Sequence, residues 1–449
     1  MIFQRIASVL YLLETNRLLV CVKRTLLIGV LTSFLGAGLL SCHQGTVENG
    51  PIPDITVAAT TTAAIQAAID AAPSTGARII LPPGDYKATA QVNLTSKNRI
   101  TLDGQGKVNW IGSNAVPNLF AVLGTCRNIR LTGINFSTTA GSGKYNYGLI
   151  CTFEQSFIDG YEIDHCRFTA PDASLNLIHF LPYSPVNESG NGRGAMHRNI
   201  NIHDCIATDG GRAFCEVNSH VHADGKADIY FENFRFCNNS VTNMGTQNPD
   251  FGPALSLSGI GNQITVDSNT ISDTKYCGLE FVNVQNVSST GNRFDGVKNT
   301  FNAYSVSRAG TGKTTGVTLI NNSGTVKGRA YALHDIESFS VTGGTFTSDQ
   351  KVELLRAKNG SISKVSVTVI NDVNAMTLAE SETVEMSNNT LTMTATTNPA
   401  SVITIPVGSR SIVVKGNTLS RPASATGNFV QSDPSDGNTI GPNTELTLK

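Results

Sequence analysis

One short phrase recurs along most of this chain. Ile163-Asp164-His165-Cys166, Ile202-His203-Asp204-Cys205, Phe236-Cys237-Asn238-Asn239 and Val266-Asp267-Ser268-Asn269 open the series. Ser289-Thr290-Gly291-Asn292, Leu319-Ile320-Asn321-Asn322, Met386-Ser387-Asn388-Asn389 and Val414-Lys415-Gly416-Asn417 continue it. A usually apolar residue is followed three places later by Asn, or by Cys in the two earliest copies. The intervals between these last positions are 39, 34, 30, 23 and 30 residues, then 67 from Asn322 to Asn389, then 28. Gly344 and Ser366 divide the long interval into three units near 22. A minimum repeat of that size with variable additions describes a solenoid whose insertions are confined to loops.

The text between the phrases supports this. Short β-branched runs alternate with Gly, Asn, Ser and Asp, and helical periodicity is nearly absent. Thr60 to Ala72 is the exception: Ile65, Ala68, Ile69 and Ala72 recur at helical spacing, threonines offer caps and Pro73 ends the run. Two or three short strands per copy, stacked coil on coil, give parallel sheets rising about 4.8 Å per coil. Asparagine at a repeated corner tolerates the left-handed backbone of a tight turn, and stacked amides hydrogen-bond along the axis. Cys166 and Cys205, at the same corner, read as buried members of that ladder.

Composition removes several functions. The chain of 449 residues is only 15% charged with a net charge of −1, and has no basic block to neutralise phosphates, so it is not a nucleic-acid binder. It is 40% hydrophobic, too apolar for disorder. No apolar stretch of spanning length follows residue 40. Residues 1–41 read as a signal peptide: Lys23 and Arg24 precede an apolar run, Leu26 to Leu40. Leu39-Leu40-Ser41-Cys42 is similar to the lipobox of bacterial lipoproteins, which implies acylation of Cys42. Residues 1–21 look superfluous, with the true start nearer Val22. The expected organisation is a leader over 1–41, a polar tether over 42–54 and one domain over 55–449. Membrane contact is expected only through the lipid anchor, at the bacterial outer membrane or cell surface, with periplasmic or secreted forms as alternatives. The seven remaining cysteines do not read as a disulfide framework.

Ile65-Gln66-Ala67-Ala68-Ile69-Asp70, Ala77-Arg78-Ile79-Ile80-Leu81-Pro82-Pro83-Gly84-Asp85-Tyr86 and Ile100-Thr101-Leu102-Asp103-Gly104-Gln105-Gly106 together resemble the opening of the pectate-lyase-like superfamily. The resemblance implies an all-β, single-stranded right-handed parallel β-helix of about 11–13 coils, its N-terminal helix capping the open end of the core. It says little about chemistry, because the superfamily holds lyases, hydrolases, epimerases, phage depolymerases and non-enzymatic surface proteins. The Asn-Thr-Asp, Gly-His-Gly and Arg-Ile-Lys motifs of polygalacturonase-like hydrolases are missing. So is the Asp-Pro-His motif of alginate epimerases. Ile163-Asp164-His165 is similar to part of the Trp-Ile-Asp-His motif of pectate lyases, but Glu162 replaces the tryptophan and the phrase also fits the generic coil.

Loop length points to a site. The three long coils between Cys166 and Asn269 carry insertions that hold Arg193, His197, Arg198, His220 and His222, and in repeat folds such insertions often wall the binding face. The later strand of each coil adds a column. In Leu177-Ile178-His179-Phe180, Phe214-Cys215-Glu216-Val217, Ala254-Leu255-Ser256-Leu257 and Gly278-Leu279-Glu280-Phe281, period two puts the apolar pairs inside. His179, Glu216, Ser256 and Glu280 then stack outward on successive coils, as surface residues that add little to packing. Tyr304 and His334 are expected to extend the column. Asp209 and Arg212 precede Glu216, and Arg212 suits a sugar carboxylate or sulfate. Glu216 and Glu280, two coils apart, suit an acid and a base, with His179 beside them.

The expected function is an exported polysaccharide-degrading enzyme, a glycoside hydrolase or else a polysaccharide lyase, catalysed by Glu216, Glu280 and His179. Substrate contacts are expected from Asp209, Arg212, Arg193, His220, His222, Ser256, Tyr304 and His334. No cofactor is expected, although Ca2+ would suit a lyase. The alternative is a non-catalytic surface protein for glycan binding or adhesion.

Overall fold

The computed structural model describes residues 50–448, apart from 117, 139–147, 153–155, 183–196, 219–229, 307–311, 373 and 397–400. The leader, Cys42, Arg193, His220 and His222 therefore lie outside the described residues. So does most of the 42–54 tether.

Each coil contributes three short strands, one to each of three faces. The coil that begins at His197 shows the pattern: His197–His203 in the first face, Ile206–Gly210 in the second, Cys215–Asn218 in the third, then back to Phe231–Cys237 in the first. Among the described residues every pairing between coils is parallel, and 38 strands join into one continuous sheet wound about an apolar interior. This is the expected right-handed parallel β-helix. Period two fills the inside: in the third face Ile178, Cys215, Leu255 and Leu279 align in one inward row, and Phe180, Val217, Leu257 and Phe281 in the next.

The corner between the first and second faces is where the repeated phrase sits. Asn239, Asn269, Asn292 and Asn322 form a buried ladder, each side-chain amide donating to the next Oδ1 at 3.1, 2.8 and 2.9 Å. Each Oδ1 also accepts a backbone N–H from the coil before it, as Asn269 N to Asn292 Oδ1 at 2.9 Å. Cys205 joins by its N–H to Asn239 Oδ1, and its thiol donates to the Ile163 carbonyl. Both early cysteines are buried here, as expected. Two details differ from the sequence reading. The left-handed backbone belongs to the residue before the ladder position, with φ of 54° at Asn238, 57° at Ser268 and 51° at Asn321. And the ladder member after Gly344 is Val365, whose N–H donates to Asn389 Oδ1 at 3.1 Å. Ser366 stands one place further, paired with Thr345 and Thr390. Gly344 itself is obligatory: a Cβ there would lie 2.0 Å from the Asn322 carbonyl oxygen.

The predicted helix forms as α1, Thr62–Ala71, with the Thr61 hydroxyl accepting the Ala64 N–H at 3.2 Å. Ile65, Ala68 and Ile69 face the core. Gln66 donates its amide to the Asn93 carbonyl at 3.0 Å and accepts the Asn93 N–H at 2.8 Å, so α1 occupies the free edge of the first third-face strand, Val92–Thr95. An otherwise open sheet edge is closed. Among the described residues no helix is long and apolar enough to cross a membrane.

His197 does not stand in a surface loop; it opens the first-face strand as a buried core residue, 5.9 Å from the Phe180 ring. Burial pushes its pKa down to about 3, the Ser156 backbone offsetting only part.

This packing sets three expectations for stability. Asn292→Ala removes the acceptor of the Asn269 N–H groups and the donor to the Val266 carbonyl, so it should cost about 2–5 kcal/mol in urea unfolding; Leu257→Ala should cost a similar 2–5 kcal/mol by cavity formation. His197 is charged in the unfolded chain below its ordinary 6.5 but stays neutral when folded until about pH 3. The wild type should therefore lose stability relative to His197→Leu as pH falls from 6.5 toward 3, by up to about 1.4 kcal/mol per pH unit. Parallel pH-dependent unfolding of the two proteins checks this.

Candidate functional site

The third face carries the expected column. His179 pairs in register with Glu216, Glu216 with Ser256, and Ser256 with Glu280. All four side chains point away from the apolar interior, yet none is solvated: Glu216 is 3% exposed, Glu280 2%, His179 1% and Ser256 0%. The outward direction is as expected, but these are not the surface residues, indifferent to packing, that the sequence suggests. Among the described residues, the half-buried side chains of Arg212, Tyr276 and Tyr304 bond to its carboxyls, and Phe251 packs on Arg212.

The two carboxyls have opposite surroundings. Glu216 is ion-paired. Arg212 Nη1 binds its Oε2 and Nη2 its Oε1, while the Asn176 amide donates to Oε2 at 2.6 Å. Arg212 is itself fixed, with Nη1 donating to Asn176 Oδ1 at 3.2 Å and the guanidinium 4.3 Å from the centre of the Phe251 ring. His179 Nε2 stands 3.7 Å from Glu216 Oε2. Arg212 is thus committed to Glu216 rather than presented to a sugar anion.

Among the described residues Glu280 has no ion-pair partner. Burial pushes its pKa above the ordinary 4.5, and the charge on Glu216 adds to the rise. Hydrogen bonds from Ser256, Tyr304 and Tyr276 work against it but do not cancel it. The Ser256 hydroxyl donates to Oε2 at 2.6 Å and the Tyr304 hydroxyl to Oε1 at 3.0 Å. In exchange the Tyr304 phenol is shifted upward, by burial first and by Glu280 next. One carboxyl is buried with its pKa raised and the other is held by an arginine, and environments that differ in this way are what separates an acid from a base.

Other expected members fall elsewhere. Tyr304 and His334 do not extend the column: Tyr304 pairs with Val282 and His334, two residues along the strand, while the column proper continues through Asn302, Ala332 and Glu353. Tyr304 reaches Glu280 from the side, because its phenol is long. His334 instead bonds Glu353, Nε2 to Oε2 at 2.9 Å. Asp209 lies at an exposed left-handed corner of the second face, accepting the Asn243 amide at 2.7 Å, and the structure does not bring it to the carboxyls. Asn176, Phe251 and Tyr276 were missed. Only Asn176 carried a trace of its role, three residues ahead of His179 on the same strand.

A second charged cluster stands on the first face. Ligand atoms of Glu162, Asp164 and His203 lie within 4.8 Å of one another. Arg130 supplies the positive charge there, its Nε and Nη2 each 2.8 Å from an Asp164 oxygen. Burial opposes ionisation of Asp164, but the bonds from Arg130 and His165 outweigh it and hold its pKa below the ordinary range. The phrase that resembles the pectate-lyase motif is therefore part of an ion-pair network.

Comparison with known proteins agrees on architecture. No protein-family model matches the chain, and no curated protein sequence does. Solved structures match over most of its length. PfbA, a surface adhesin of Streptococcus pneumoniae, is 14% identical, covering 78% of this chain and 88% of its own, with a TM-score of 0.55. The tailspike of Escherichia coli bacteriophage HK620, a mutant in complex with a hexasaccharide, is 12% identical over 86% and 74%, with a TM-score of 0.52. A mutant DFA-IIIase from Arthrobacter chlorophenolicus A6, in complex with DFA-III, is 13% identical over 86% and 98%, with a TM-score of 0.51. The shared fold is the right-handed parallel β-helix.

The burial of the column changes what substitution should do. Glu280→Gln resembles the protonated acid, so it should be at least as stable as the wild type at neutral pH. The wild type carries a penalty that is absent well below pH 4.5 and grows as pH rises through the elevated folded pKa. Glu216→Gln leaves Arg212 without its counter-ion and should cost about 1–3 kcal/mol. Urea unfolding of both variants at pH 4 and pH 7 separates the two behaviours.

Proposed function

We propose that this chain is an exported polysaccharide-degrading enzyme, and within that class a glycoside hydrolase. The observation that carries the reading is a buried carboxyl with an elevated pKa, Glu280, two rungs from a carboxylate held by an arginine, Glu216. Two rungs separate their backbones by about 9–10 Å. Side chains that converge from that spacing fall in the range of about 6.5–9.5 Å used by an acid and a base acting on opposite sides of a glycosidic bond with inversion. Glu280 gives its proton to the leaving oxygen. Glu216, with His179 beside it, takes one from the attacking water. Ser256 and Tyr304 orient Glu280, and Arg212 and Asn176 orient Glu216. Access requires the half-buried rings of Tyr276 and Tyr304 to move aside as the sugar enters. Two proteins of the same fold are known with a hexasaccharide and with DFA-III bound, which suits a carbohydrate role. Export and a lipid anchor at Cys42, at the cell surface or outer membrane, complete the reading.

One observation favours a second reading. All four column side chains are buried, which a purely structural polar seam would also show; the protein would then be a non-catalytic surface β-helix that binds glycan. A polysaccharide panel separates the two. Hydrolysis should release reducing ends without the ultraviolet absorbance of an unsaturated uronate, and Glu280→Gln should abolish release while remaining folded. Appearance of the unsaturated product would mean a lyase, and full activity in Glu280→Gln would remove the column from the mechanism.

A further inference from the structure

The second face holds a groove that the acid and base do not use. Over four successive rungs Asp85, Asn109, Asn135 and Arg167 fall in register in one outward row. Together with the adjoining row they line a cavity of about 420 Å³, within the size range of ligand sites. The row is already organised: the Asn109 amide donates to Asp85 Oδ1 at 2.7 Å and the Asn135 amide to Asn109 Oδ1 at 2.9 Å. Locking the amides in one orientation lowers the cost of ordering them around a ligand. Arg167 is exposed and has no hydrogen-bond or ion-pair partner among the described residues. Ile111 and Ile206, half-buried, give apolar ground beside the polar row.

The geometry points to a non-catalytic docking groove for an extended oligosaccharide, read along the helix axis by Asp85, Asn109, Asn135 and Arg167. Three rung intervals span about 14 Å, and the rung spacing is close to the rise per sugar in an extended polysaccharide, so successive rungs meet successive sugars. Fixed amides, one carboxylate and one guanidinium present both donors and acceptors to ring hydroxyls. A single carboxylate, already bonded to Asn109, provides no acid–base pair, so the groove binds without cleaving. It stands on a different face from Glu216 and Glu280 and does not depend on their role.

Affinity electrophoresis of the Glu280→Gln protein in gels cast with alginate, polygalacturonate or galactomannan tests this. Retardation is expected in at least one gel, and adding Asn135→Ala with Arg167→Ala should weaken it about tenfold or more. The milder Arg167→Gln should weaken it less, and unchanged thermal melting should show that both proteins remain folded. No retardation in any gel overturns the proposal. So does retardation that is unchanged in the groove variant but lost in Tyr304→Ala, which would assign all binding to the third face. Turnover of the unsubstituted protein is read separately, so retardation lost with the groove and no product would sink the hydrolase while leaving the groove.

Discussion

Everything in this molecule depends on each coil landing directly above the last in parallel register. Coils of unequal length meet that demand only if something marks the same point in each. The corner amides do so. A buried asparagine that donates to one neighbour and accepts from another leaves its coil nowhere else to sit, since a slip would strand several buried polar groups at about 1–3 kcal/mol each. Between fixed corners, insertions are free to vary, which is why the intervals range so widely while the ladder distances do not.

Register then converts sequence into columns. One outward residue per rung becomes a continuous row, and a row takes its chemistry from whatever encloses it. On the third face, the same residue type meets two environments: Arg212 and Asn176 bind Glu216, whereas burial favours the neutral form of Glu280. On the second face, Asp85, Asn109, Asn135 and Arg167 remain in contact with solvent. The first face carries ion pairs, with Arg130 between Glu162 and Asp164. Three faces of one scaffold thus offer three different surfaces.

The fold was legible because its signals are local and repeated. The corner phrase, the alternation in Leu177–Phe180 and its counterparts, and the helical spacing of Ile65, Ala68 and Ile69 each repeat or stand out without knowledge of contacts. The pairing of His179, Glu216, Ser256 and Glu280 was legible for the same reason. Their burial was not, because it is imposed by residues from other turns, such as Phe251 and Tyr276, whose approach no period announces. Tyr304 was placed near the site for the wrong reason, since its strand sits two residues out of the assumed register. Val365 was missed because an aliphatic side chain at the corner keeps only the backbone half of the interaction. The row from Asp85 to Arg167 gave no motif at all, being single residues scattered over four coils.

The interruption at Gly344 and Val365 has a mechanical side. Contacts in a solenoid run only between adjacent repeats, so its cooperativity is a chain of nearest-neighbour couplings. Side-chain amides link Asn239 through Asn322, and again Asn389 through Asn443, but glycine and valine contribute none between them. At that corner the amide ladder is replaced by sheet pairing, apolar contacts and the single Val365 N–H to Asn389 Oδ1 bond, while ion pairs such as Arg356 with Asp335 join the coils elsewhere. The corner of such a shaft is two amide-linked blocks in series, and between them the load along the axis passes from a side-chain ladder to backbone pairing and ion pairs.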